Sequence, residues 1–326
     1  MSTFFCSDNS RQLGEAVIGS ATNYQTYILV ECPPPWTSDA FNSRWVPNNL
    51  KVLVEEIKRA KLPIKFLLIA NNLSHKIDCT TLLIYQRKEG LVKGYSKQEF
   101  KLANIEQVAS VVKKWLWNRI PSCELETNAI RDILVCTHGS HDKCCSRYGN
   151  PFYFHAAESI SDLGLDDDIR IWKTTHFGGH RFAPTAIDLP EGRYYGILDQ
   201  DSFKSILTRS GDISCLKKVY RGWAILPNSI QVLERELILR YGWDWFNYKV
   251  SGRIIEESSD KDSIEAELNF EQPCGSLYTY RATLVKDENK TLQLKGSCNA
   301  TQESLFVKYT LGNLWLASKK LAVYAR

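Results

Sequence analysis

The chain has 326 residues, 44% hydrophobic and 24% charged, the composition of an ordinary globular protein of two or three domains rather than a disordered one. No apolar run approaches the roughly 18 residues that cross a bilayer, and Phe66-Leu67-Leu68-Ile69-Ala70 typifies the short runs present, so no membrane insertion is expected. Forty-one basic against 37 acidic residues leave +4 without a basic block or stripe, which sets nucleic acid aside.

Residues Met1 to Asp8 lack the basic and apolar regions of a signal peptide, so a cytoplasmic location is expected. In a reducing compartment ten cysteines are mostly buried small hydrophobes, and a cluster among them points to metal binding or catalysis rather than to disulfides. From Gln25 to Arg119 the pattern predicts a strand at Tyr27–Glu31, a helix at Asn49–Ala60 and strands at Ile64–Ala70, Thr81–Gln86 and Leu91–Ser96. A helix at Ile105–Trp117 closes the segment.

The next segment repeats that order. Ile133–Cys136 reads as a buried strand, and a helix follows at Pro151–Leu163, with Asn150 as N-cap, Pro151 in the first turn and Gly164 past the end. A second strand at Ile169–Thr175, a hairpin of Thr185–Leu189 and Tyr194–Leu198, and a helix capped by Asp199 or Asp201 complete a thioredoxin-like element order. Two segments with one order suggest an internal duplication. Beyond Asp212 comes a helix at Ile230–Tyr241, then strand-like alternation, with Trp243, Trp245 and Phe246 expected to pack this extension onto the rest. The fold class is α/β, two tandem thioredoxin-like segments with a C-terminal β-rich extension.

Chemistry concentrates in two stretches. Residues 136–145 read Cys-Thr-His-Gly-Ser-His-Asp-Lys-Cys-Cys and residues 174–181 read Thr-Thr-His-Phe-Gly-Gly-His-Arg. Each follows a strand, and parallel neighbours bring such loops to one sheet edge. Gly178 and Gly179 permit the tight bend between the imidazoles. Two sulfurs and two imidazoles suit zinc, and they equally suit an iron–sulfur cluster in which two histidines replace two cysteines on one iron. Seven residues separate Cys136 from Cys144, more than the two to four of generic zinc motifs, which leans toward iron.

These two motifs, with Tyr194-Tyr195-Gly196, Tyr220-Arg221-Gly222 and an N-terminal set of Ser10-Arg11, Gly14-Glu15 and Gly19-Ser20-Ala21, resemble the sucrase/ferredoxin-like family over most of residues 6–240. The resemblance implies a thioredoxin-like ferredoxin domain with a [2Fe–2S] cluster, its ligands Cys136, Cys144, His176 and His180. Because Cys145 directly follows Cys144, the second thiolate can be either of the two. The domains that follow are residues 1–125, an N-terminal α/β domain and degenerate thioredoxin-like copy; 126–212, carrying the cluster; and 213–326, a helix plus the β-rich extension.

The expected role is a one-electron carrier or sensor rather than a substrate-transforming enzyme. Imidazole ligation raises the potential above that of all-cysteine clusters and allows proton coupling. The redox partners, a reductase and an acceptor, are unknown. No Gly-rich dinucleotide fingerprint is present, so electrons come from a separate reductase. The alternatives are a structural zinc module on the same four ligands and a glycoside hydrolase, which the family name invites and for which Glu31-Cys32-Pro33 is one short motif. Cys144-Cys145 lacks the two-residue gap of a thioredoxin-type redox pair.

His75 and His155 read as structural or solvated, and His138 and His141 as either supports of the cluster or loop residues. Cys6, Cys32, Cys79, Cys123, Cys215, Cys274 and Cys298 read as buried structural thiols. Arg181 reads as ion-paired or solvated, and Pro184 as a cis-proline supporting the histidine loop.

Overall fold

A short helix, α1 (Cys6–Gln12), precedes β1 (Thr26–Glu31), whose residues are all buried, the mark of a strand covered on both faces. The structure is a computed structural model that describes residues 4–72, 79–117, 124–125 and 130–322. The first segment continues with α2 (Asn48–Arg59), β2 (Ile64–Ala70), β3 (Thr80–Arg87), β4 (Tyr95–Leu102), α3 (Val108–Leu116) and the two-residue β5 (Glu124–Leu125). The second comprises β6 (Arg131–Cys136), α4 (Lys143–Asp162), β7 (Ile169–Thr174), β8 (Thr185–Leu189), β9 (Arg193–Gly196) and α5 (Gln200–Thr208). After these come α6 (Leu216–Val219) and β10 (Tyr220–Trp223).

All ten strands belong to one mixed sheet in the order β10-β9-β8-β6-β7-β2-β1-β3-β4-β5. In the first segment β1 runs parallel to β2 and antiparallel to β3, which pairs with β4. The second repeats this, with β6 parallel to β7 and antiparallel to β8, which pairs with β9. Antiparallel pairing of β2 with β7, Ile69 opposite Thr174 and Ala70 opposite Lys173, fuses the halves at the centre.

Two predicted elements are corrected. The fourth strand of the first segment lies at Tyr95–Leu102, not Leu91–Ser96. Its pattern is masked because Lys97 and Glu99 face an ion network rather than solvent, while Val92 only bridges to Val250. The helix predicted to start at Pro151 begins eight residues earlier. Asp142 is its N-cap, accepting the Cys144 N–H, and Pro151 lies inside it. Its buried side is formed by Gly149, Phe152, Tyr153, Ala156 and Ile160, while Phe154 is exposed.

The extension contains α7 (Asn228–Tyr241), the antiparallel sheet β11 (Lys249–Glu257), β12 (Ser263–Glu271), β13 (Leu277–Lys286) and β16 (Tyr309–Lys320), and the small hairpin of β14 (Leu292–Leu294) and β15 (Ser304–Phe306). Trp245 and Phe246 are buried in the core that the extension shares with the second segment, and the Trp245 indole donates to Glu234. No helix among the described residues is long and apolar enough to cross a membrane.

The halves are also joined by a buried ion network. Asp132 of β6, with no exposed surface, accepts from Arg170 Nε at 2.9 Å, Lys97 Nζ at 2.6 Å, Trp172 Nε1 at 2.7 Å and the Tyr85 hydroxyl. Arg170 in turn forks onto Glu99 at 2.9 Å. Burial alone would raise the Asp132 carboxyl, but Arg170 and Lys97 hold it below its ordinary value. A carboxyl with a depressed folded pKa stabilises above its unfolded value, and that contribution is lost as pH falls through the folded one. We expect Asp132→Asn to cost about 3–5 kcal/mol in urea unfolding at neutral pH. The gap to the parent should narrow below about pH 4, and a gap constant down to acid pH would contradict this account.

Candidate metal centre

Cys136 ends β6 opposite Thr174, the end of β7, so the loops after both strands leave from one sheet edge. His138, buried in the first loop, has both ring nitrogens engaged. Its Nε2 donates to the Thr37 carbonyl at 2.7 Å and its Nδ1 accepts the His176 N–H at 3.2 Å. Burial lowers its pKa, so it is a neutral ring that fixes the backbone of His176.

Cys144 and Cys145 occupy the first turn of α4, where successive side chains are rotated by about 100°. They therefore face different surroundings. The Cys145 Sγ lies 3.6 Å from His176 Nδ1, and the Cys136 Sγ lies 3.8 Å from the same nitrogen. The Cys144 Sγ instead meets the sulfurs of Cys6 and Cys298 at 3.5 and 3.3 Å. Of the four predicted ligands the fold gathers Cys136, His176 and His180. It puts Cys145, rather than Cys144, beside them. Cys136, Cys145 and His176 have ligand atoms within 4.8 Å of one another, and so do His141, His176 and His180.

The rings of His176 and His180 have centroids 4.9 Å apart, and exposed His141 stacks on His176 at 4.1 Å. His180 Nε2 donates to the Gly296 carbonyl, while its buried Nδ1 has no hydrogen-bond partner among the described residues. A buried nitrogen with a free lone pair is costly unless something binds it. A cleft of about 320 Å³, lined in part by Ser38, Lys65, Thr175, His141 and His176, opens at this edge.

The electrostatics suit metal donors. His176 is pushed down to about 2, first by burial and then by His141 and His180, so its ring is neutral. Burial works to raise Cys136, but the Cys145 thiol and the His138 and Phe177 amides hold it below its ordinary value. Cys145 is pushed up, first by its hydrogen bond with Cys136 and then by burial, so the two thiols are shifted in opposite directions. Arg221, buried beneath Gly179, donates to Ser20 Oγ, the Ser20 carbonyl and the Gly178 carbonyl at 3.0, 2.7 and 3.0 Å, all neutral oxygens. Burial pushes it down to about 10.

Two glycines make this packing possible. A Cβ on Gly149 would lie 1.9 Å from the Cys136 carbonyl oxygen, so α4 can press against the end of β6 only with glycine there. Gly179, at φ +81°, leaves room for the Arg221 guanidinium, which a Cβ would meet at 2.4 Å.

Other expected residues have structural roles. Glu31 is buried and accepts the Thr81 N–H at 3.1 Å. Cys32 is pushed up to about 12 by burial and stays a thiol. Arg181 pairs with Glu15 at 2.8 Å and stacks on Phe306, the Ala183–Pro184 peptide is cis, and His155 is exposed. His75 and Cys123 lie outside the described residues. Sequence reasoning missed Cys6, Asp142 and Cys298. They are separated by more than 130 residues on either side of Asp142, and the only local signal was a second cysteine with no separate role beside Cys144.

A sequence model of the family described as sucrase/ferredoxin-like matches residues 17–222. A Debaryomyces hansenii protein named altered inheritance of mitochondria protein 32 is 28% identical over 136 residues, 38% of this chain and 48% of its own length. The chain thus spans about half of that relative. No solved structure matches.

We expect Gly149→Ala to separate α4 from β6, lowering stability by about 1–3 kcal/mol or more in denaturant titrations and speeding alkylation of Cys145. Parent-like stability and alkylation would show that this close approach does not hold the donors together.

Proposed function

The chain belongs to the sucrase/ferredoxin-like family, and from that premise we propose that Cys136, Cys145, His176 and His180 hold a [2Fe–2S] cluster, making the protein a one-electron carrier or sensor. The observation that carries the reading is the elongated donor set. Cys136, Cys145 and His176 form one group, His176 and His180 fall in a second, and among the described residues no group holds all four within one 4.8 Å span. A single tetrahedral zinc draws four ligands around one point, whereas a two-iron cluster spreads them over two metals. The unpartnered Nδ1 of His180 and the neutral ring of His176 fit the imidazole side, and the low Cys136 thiol fits the thiolate side.

When bound, such a cluster supplies a one-electron couple. The residues of the chain set its conditions. His180 donates its Nε2 proton to the Gly296 carbonyl and so presents Nδ1 in a fixed orientation, as metal-bound histidines commonly do through their other ring nitrogen. His176 directs Nδ1 at the thiols, leaving Nε2 as the nitrogen that can exchange a proton. The His138 and Phe177 amides donate toward the Cys136 sulfur, and the charge of Arg221 favours the extra electron. The cleft beside exposed His141 gives a redox partner its nearest approach. We place the protein in the cytoplasm. The name of the Debaryomyces hansenii relative concerns mitochondrial inheritance, and cell fractionation separates the two locations.

Anaerobically purified protein should be red-brown and bleach with dithionite. Cys145→Ser should lose the colour, Cys144→Ser should keep it, and His176→Cys should shift the spectrum. A colourless protein with zinc bound to these residues would replace the cluster by the structural zinc reading. If reduction is proton-coupled at His176, the midpoint should fall by about 59 mV per pH unit above the oxidised-state pKa. A midpoint constant between about pH 6 and 9 removes the coupling.

A further inference from the structure

Behind the first turn of α4 lies a second donor cluster. The sulfurs of Cys6, Cys144 and Cys298 are mutually 3.3, 3.5 and 3.7 Å apart, and the Asp142 carboxylate oxygens lie 3.8 and 3.9 Å from the Cys6 sulfur. All four ligand atoms fall within 4.8 Å of one another. Cys6, Asp142 and Cys144 are buried and Cys298 is half-buried.

Two chemistries would draw thiols packed at these distances closer together than hydrogen bonding does or bind them to one ion. A disulfide would bring one pair to about 2.05 Å and leave the third cysteine idle. A tetrahedral zinc with bonds of about 2.3 Å spaces its sulfurs about 3.8 Å apart, close to the separations observed, and uses all three. Asp142 completes the set. Its Oδ1 accepts the Cys144 N–H at 2.9 Å and its Oδ2 the Cys298 N–H at 2.8 Å, the outer hydrogen bonding that orients a ligating carboxylate. The Ser7 N–H donates to the Cys144 sulfur at 3.4 Å. A hard carboxylate beside three soft sulfurs favours zinc over copper(I), which prefers thiolates alone.

We infer that Cys6, Asp142, Cys144 and Cys298 form a structural zinc site that ties the N-terminal helix, the start of α4 and the loop between β14 and β15 to one ion. The site does not depend on the [2Fe–2S] reading. Its place beside the first centre gives it a role, since Asp142 lies 4.0 Å from His180 Nε2 and the clamped loop supplies the Gly296 carbonyl that holds that ring.

The test is metal analysis of the full-length protein by mass spectrometry. Parent protein should hold one zinc per chain whatever its iron content. Cys145→Ser should lose iron and keep the zinc, whereas Cys6→Ser and Cys298→Ser should lose the zinc. Should those variants fail to fold, parent protein answers the question: Cys6, Cys144 and Cys298 should resist alkylation until zinc is stripped, then react together. Absence of zinc, zinc retained in Cys298→Ser, copper in its place, or a disulfide between any two of the three cysteines would each overturn the inference.

Discussion

The carboxylate of Asp142 anchors the chemistry of this protein. It caps α4 through the Cys144 amide and, with its other oxygen, holds the Cys298 amide across 156 residues of sequence. Capping fixes where the helix begins, and the helical rotation then fixes where two adjacent cysteines look. One faces the histidines, the other faces two distant thiols. Neither donor cluster could form if α4 started at Pro151.

The sheet explains why the histidines meet Cys136. A parallel β6–β7 pair puts both following loops at one edge, and the β2–β7 pair brings the first half of the molecule up to the same place. The loop after β1 then contributes carbonyls. Thr37 receives His138, Trp36 receives Ser140, and Ser38 lies near His141. Among the described residues, the first segment therefore shapes this edge through its carbonyls, and the donors gathered there come from the second. At the other end of the strands the Asp132 network locks the halves together, so the join is held from both ends.

Much of this was legible in the sequence. The element order of the two segments, most of their helices and strands, and the departure of both Cys/His stretches from one sheet edge follow from apolar periodicity and turn chemistry, because those elements bury one face or both. The failures have separate causes. At β4 an ion network replaced the apolar face, and at α4 the Asn150-Pro151 pair reads as a helix start although Pro151 lies inside a helix that Asp142 caps. Cys6 and Cys298 left no pattern because their partners are distant in the chain, and only three-dimensional closure brings them to Cys144.

The loop between β14 and β15 covers His180 and contributes Cys298. It lies far beyond the two Cys/His stretches in the chain, so during synthesis the histidines and both inner cysteines emerge from the ribosome more than a hundred residues before their cover. His180 is therefore uncovered while the chain is being made and covered on one side once it is complete, the cleft beside His141 staying open. A group taken up by these donors before the last hundred residues are made would meet an uncovered His180, and one taken up afterwards would have to enter beside the Gly296 loop.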